Sequence, residues 1–236
     1  MASHPAEEDP ERVTLHLWGV RPSRVPAALV HMGLDRRHLR RTPGLRFAKL
    51  LGTGDGRTFT LRDADLLHWG LLATWSSAAA AEAFESGPVA RGWERVAYER
   101  LRIDLRPLAS RGEWSGRRPF GAPTPTPYDG AVASVTRARI AVRKMTSFWH
   151  AVPPVSADLA RCAGLRLAVG IGEAPIGLQG TFSLWATAAA LTEFAHRRGP
   201  HTDVVARTAT EGWYSEELFA RFAVLSVDGT FGGRTP

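Results

Sequence analysis

One cysteine, two lysines and the lack of any long apolar run are the scarcities that constrain this sequence first. The lone Cys162 excludes an internal disulfide and every cysteine-based zinc framework. Its neighbours Arg161 and Ala163 form no nucleophile motif, so it reads as a buried small residue in a reducing compartment. No stretch approaches the roughly eighteen apolar residues that span a bilayer. The opening residues, Met1 to Pro10, are acidic and polar where a signal peptide is basic and then apolar. This predicts a disordered tail over residues 1–11 and a cytoplasmic location. Lysine occurs only at 49 and 144, leaving 28 of the 30 basic residues as arginine. The net charge of +7 is dispersed apart from the short run Arg36, Arg37, Arg40 and Arg41, which argues against nucleic acid as a partner.

What is present is an ordinary globular balance, 44% hydrophobic and 22% charged over 236 residues, and it is written twice. Val25, Ala28, Leu29 and Met32 have the spacing of an amphipathic helix, and Met145, Phe148, Trp149 and Val152 repeat it at an offset of 120. Gly44-Leu-Arg-Phe-Ala and Gly164-Leu-Arg-Leu-Ala keep the same offset, each followed eight residues on by a second glycine, Gly52 or Gly172. Trp75 to Phe84 recurs as Trp185 to Phe194, and Leu108 to Gly116 recurs as Leu225 to Gly233.

Each half then reads strand, helix, strand, strand, helix, strand, the ferredoxin-like unit. The predicted elements are 13–18, 23–33, 45–52, 67–75, 77–86 and 101–109, then 132–138, 143–152, 165–172, 179–185, 187–197 and 219–227. This predicts an α+β fold: one repeat over 12–114, a proline-rich linker over 115–129 and a second repeat over 130–233. The two are expected to pack sheet to sheet as a pseudo-dimeric α/β barrel that requires no obligate oligomer.

A site is expected where the halves disagree, and three departures fall in the second. Val13, Leu15 and Leu17 become Ala133, Val135 and Arg137; this arginine either meets an acidic partner or anionic ligand, or reaches solvent at a strand end. The row Trp69, Leu71, Ala73, Trp75 becomes Gln179, Thr181, Ser183, Trp185, which is either a polar pocket wall or an exposed strand face. Phe84 to Trp93 spans nine residues but Phe194 to Trp213 spans nineteen, and the added ten surround Pro200-His201. His201 leads a stripe with Val204, Val205 and Thr208. It is either a core histidine or an axial ligand, and with no second ligand at a zinc-type spacing a haem fits better than a bare metal. The runs Gly52-Thr-Gly-Asp-Gly and Gly170-Ile-Gly-Glu-Ala-Pro open no helix and are read as loops, not dinucleotide fingerprints.

The stretches Leu50-Leu-Gly-Thr-Gly-Asp-Gly, Trp114-Ser-Gly, Thr136-Arg-Ala, Phe148-Trp with Ala151-Val-Pro, Gly170-Ile-Gly-Glu-Ala-Pro, Gln179-Gly-Thr-Phe-Ser-Leu-Trp, Gly199-Pro-His and Trp213-Tyr resemble the spheroidene monooxygenase family, haem-containing carotenoid oxygenases related to dimeric α/β-barrel proteins. The resemblance implies haem b with iron held by His201, His150 being the rival ligand. It also implies pocket candidates Arg137, Gln179, Thr181 and Ser183, and an apolar cofactor environment of Phe148, Trp149, Trp185, Val204 and Val205. The apolar residues Phe148, Trp149 and Trp185 predict a small hydrophobic substrate, with peripheral contact with a membrane where it is lipophilic, and the lack of a nucleotide fold predicts a separate ferredoxin-type electron donor. A peroxidase-like or aldoxime-dehydratase-like enzyme, or a non-catalytic haem-binding protein, are the alternatives on the same scaffold.

Overall fold

The computed structural model describes residues 9–54, 64–124, 126–140, 162–173, 180–196 and 214–236. Short stretches rich in leucine, valine and aromatic residues give eight strands. They are β1 (Arg12–Val20), β2 (Leu45–Gly54), β3 (Ala64–Trp75), β4 (Ala97–Gly112), β5 (Val132–Ile140), β6 (Leu165–Gly172), β7 (Gly180–Trp185) and β8 (Tyr214–Gly229). The helices are α1 (Val25–Leu39), α2 (Ala78–Glu85), α3 (Pro88–Val96) and α4 (Ala188–His196). The helix expected over 143–152 lies outside the described residues.

All pairings are antiparallel and the sheet closes on itself in the order β1-β3-β2-β6-β7-β5-β8-β4. Within it the two halves have the same internal order, β2-β3-β1-β4 and β6-β7-β5-β8. Where two stacked sheets would leave four edges unpaired, closure joins them: β4 pairs along β8 from Leu101↔Gly229 to Gly112↔Leu218, and β2 meets β6 at Gly52↔Gly172. The expected sheet-to-sheet packing is thus realised as one barrel whose interior is a shared core. Leu15, Leu17, Ile103 and Leu105 from one half pack with Val135, Ile171, Phe182 and Phe222 from the other.

Side chains alternate across each strand, so every strand has an inner face in the barrel and an outer face, which in the first half lies under α1, α2 and α3. Local details recur between the halves. Ser77 caps α2 by accepting from the Ala80 amide at 3.1 Å, and Thr187 does the same for Ala190 of α4 at 3.2 Å. Trp75 packs on Phe84 at 5.1 Å and Trp185 on Phe194 at 5.4 Å. Gly44 (φ 72°) and Gly164 (φ 83°) take left-handed turns and accept the amides of Ser76 and Ala186.

Three local features add to this picture. Residues 9–11 are not a loose tail: Asp9 accepts the Ala122 amide at 2.7 Å and Glu11 the Ala78 amide at 3.2 Å. The 115–129 stretch does more than link, because Phe120 is fully buried in the barrel core, edge-on to Phe222 at 4.8 Å. Helix α3 has no counterpart among the predicted elements; Pro88, in the first turn, suits its start. Among the described residues no helix is long and apolar enough to cross a membrane.

Candidate functional site

The outer faces of the two half-sheets differ in bulk. In the first half, Trp18, Leu50, Trp69, Leu71 and Trp75 form a buried floor beneath α1, α2 and α3. Trp18 stacks on Trp93 at 4.9 Å and on His16 at 5.4 Å, and His16 Nε2 lies 2.8 Å from Glu85. This face is filled by its own side chains.

The same positions in the second half are small. The repeat puts Thr136 where His16 stands, Ala138 at Trp18, Gly170 at Leu50, Thr181 at Leu71 and Ser183 at Ala73. Ala138 and Gly170 are buried, Thr181 is half-buried and Thr136 is exposed. At one end of the patch Ser183 Oγ lies 2.8 Å from Ser134 Oγ and accepts the Trp185 indole N–H at 2.9 Å. Trp185 is fully buried and packs with Val132, Ala223, Leu191 and Phe194. The result is a side-chain-poor floor of hydroxyls, alanine and glycine, bounded by an aromatic wall.

Arg137 does not belong to that floor. It follows Ala133 and Val135 on the inner face of β5, opposite the face that carries Thr181, Ser183 and Trp185, so the expected grouping of these residues is split by the sheet. Nor does it reach solvent, being only 1% exposed. It is ion-paired to Glu216 and, at 2.8 Å, to Glu173, with its guanidinium 5.1 Å from the ring centre of Trp114. Lys49 Nζ and the Trp114 indole each lie 2.7 Å from Glu173. Burial works against both charged carboxylates. The Gly116 and Ser115 amides with Arg137 nevertheless hold Glu216 below the usual carboxylate range, and Lys49, Trp114 and Arg137 do so for Glu173. The acidic partner that a buried arginine requires is therefore inside the protein. Glu173 and Trp114 were legible only as parts of motifs, without this role.

Gln179, Phe148, Trp149, His150, His201, Val204 and Val205 lie outside the described residues. Cys162 is half-buried beside the Trp185 cluster. Among the described residues no group of three or more His, Cys, Asp or Glu is placed to hold a metal ion. Thr136, present in the sequence reading only as part of the Thr136-Arg-Ala motif, pairs directly across the strands with Thr181.

No protein-family model matches the chain. Among known proteins it is 36% identical over 218 residues to the spheroidene monooxygenase of Rhodobacter capsulatus, covering 91% of this chain and 90% of that protein. It is 40% identical over 193 residues to the spheroidene monooxygenase of Rubrivivax gelatinosus, covering 81% and 73%. Among solved structures, aldoxime dehydratase shares the fold with a TM-score of 0.59 at 12% identity, covering 93% of this chain and 83% of that one. A second aldoxime dehydratase, in complex with butyraldoxime, gives 0.58 with 93% and 81% covered. At that identity the structural likeness shows architecture alone, whereas the sequence likeness extends over most of both chains: the chain belongs to the spheroidene monooxygenase family.

Proposed function

We propose that this chain is a haem-dependent monooxygenase that oxidises a hydrophobic organic molecule, a carotenoid or another secondary metabolite. It would use O2 and electrons from a separate ferredoxin-type protein, with haem b held against the outer face of β5, β6 and β7. Family membership supports the coarse class, an oxidoreductase of the monooxygenase type. The observation that carries the cofactor is the floor. At the positions where the first half places Trp18, Leu50 and Leu71, the second places Ala138, Gly170 and Thr181, which suits a large flat group. In the same reading the halves are two fused ferredoxin-like repeats, of which the first keeps its outer face filled and the second has given it over to a ligand. His201 is the proposed iron ligand, with Phe148, Trp149, Gln179, Val204 and Val205 beside it.

When bound, the haem supplies the redox chemistry that activates O2. The chain's own described residues do the rest. Trp185 and Phe194 make an apolar wall at the end of the floor that excludes water. Ser183, fixed by Ser134 and Trp185, ties β5 to β7 and keeps the floor rigid. Arg137 and Glu173 secure the inner side of the same strands and do not meet the substrate. Monooxygenation puts one oxygen atom into the substrate and the other into water, so it consumes two electrons and two protons; this is the need that a ferredoxin-type donor meets. A lipophilic substrate brings peripheral contact with a membrane into the same proposal.

The test is an absorbance spectrum of the purified protein followed by turnover with ferredoxin, its reductase, NAD(P)H and 18O-labelled O2 on candidate carotenoids. Label in the product is the expected result. Activity on aldoximes without O2, or with peroxide alone, would move the chain to the dehydratase-like or peroxidase-like alternative. Bound haem without turnover would make it a carrier.

A further inference from the structure

We infer that Thr136 and Thr181 form the hydroxyl pair that meets the ligand held on the second-half floor, donating a hydrogen bond to a polar group of that ligand. The inference rests on the reading above and replaces Arg137 in the role the sequence suggested. Four hydroxyls face outward from β5 and β7, set by register as two cross-strand pairs, Ser134↔Ser183 and Thr136↔Thr181. The serine pair is closed on itself, with Ser183 also accepting the Trp185 N–H. Neither threonine hydroxyl bonds another described side chain or backbone group, and Thr136 is exposed in the middle of a strand whose outer face the fold should cover.

A threonine on an open strand surface would need no explanation, since β-branched residues favour strands. The first half removes that reading here. Its counterpart of Thr136 is His16, 3% exposed and held by Glu85; its counterpart of Thr181 is Leu71, fully buried. In one half described side chains cover these two positions; in the other the two hydroxyls stand over a small-residue floor with no partner among the described residues. A threonine hydroxyl can both donate and accept, so the pair can also hold a water and pass a proton along Thr136 Oγ1 and Thr181 Oγ1.

The experiment uses the full chain loaded with haem, reduced and exposed to carbon monoxide, whose C–O stretching frequency reports hydrogen-bond donors next to it. Thr136→Val and Thr181→Val keep the strand-favouring shape and remove the hydroxyl. Each should retain haem and shift the C–O band, while Thr136→Ser should keep the wild-type band. Loss of haem from Thr136→Val but not from Thr136→Ser would equally support contact through the hydroxyl. An unchanged band in both valine variants overturns the inference while leaving the haem reading intact, and so does loss of haem from valine and serine variants alike. Wild-type protein that takes up no haem overturns the reading on which the pair rests, and the pair with it.

Discussion

The outer face of the first half is closed by four indoles, Trp18, Trp69, Trp75 and Trp93, while the described residues of the second half place Trp185 at the matching strand end and glycine, alanine and hydroxyls along the rest. Both rest on the same strand order and the same inner core. The difference teaches that the barrel interior supplies the stability common to both halves, so an outer face can be emptied of large side chains without dissolving the fold.

The sharpest way to break the comparison is to write the first half onto the second. Ala138→Trp combined with Gly170→Leu should abolish haem uptake, measured by absorbance titration of the apoprotein, while circular dichroism and the unfolding midpoint stay near wild type. Undiminished uptake would place the cofactor elsewhere. The reverse change, Trp18→Ala, should create no haem site, because no histidine segment like the one around His201 exists in the first half. It should cost about 3–5 kcal/mol in denaturant unfolding, the usual result of deleting a buried tryptophan. A cost below about 1 kcal/mol would mean that the indole cluster does not close that face.

Arg137→Leu restores the residue of the first half at that position. It should nevertheless destabilise by about 3 kcal/mol, because it strands Glu173 and Glu216 against each other. Lys49, still 2.7 Å from Glu173, keeps the loss at the lower end of the range for broken buried pairs. The haem spectrum should be unchanged, since Arg137 is on the inner face. A displaced Soret band with unchanged stability would return Arg137 to the pocket.

That last residue shows how far the sequence could be read. The strands and the position of α1 were legible from alternation and helical spacing, although Leu29, expected on the buried face with Ala28 and Met32, is exposed. Which face of a strand turns inward was not. In β1 both Leu15 and Leu17 and, on the other face, Trp18 and Val20 are buried, so hydrophobicity marks neither side as the interior. Arg137 and Thr181 could be set on one face only by ignoring register, and it is Thr136 that register places opposite Thr181. Helix α3 was hidden by Gly87-Pro88, a pair that signals a break as readily as a start. The ion pairs of Glu173 and Glu216 join strands distant in sequence and carry no local signal at all.

A second contrast lies at the two ends of the barrel and leads to the smallest effect. Each end is covered by a turn closed by a single bridge, Trp114↔Arg117 at one and Phe231↔Arg234 at the other. At the first, Glu216 receives the Gly116 amide and Trp114 lies on Arg137. At the second, Glu99 receives the Gly232 and Gly233 amides and the Thr230 hydroxyl, and Phe231 lies 4.7 Å from His68. The devices match except for the cation: arginine keeps its charge, whereas histidine can lose it. His68 sits 2.6 Å from Asp65 and 3.5 Å from Glu99. Burial disfavours its charged form, but the two carboxylates outweigh burial and raise its pKa, while Asp65 and Glu99 are themselves held low. A raised histidine pKa gives stability that is complete below the unfolded value and is lost as pH rises through the folded one. The depressed carboxylates give stability that is lost only in acid, so the clamp is tightest between the two. Hydrogen-exchange protection factors of the Gly232 and Gly233 amides should therefore fall from about pH 6 to about pH 9, and those of Ser115 and Gly116 should stay level. His68→Gln should flatten the first profile; a slope that persists in that variant would show that the turn is held without the imidazolium.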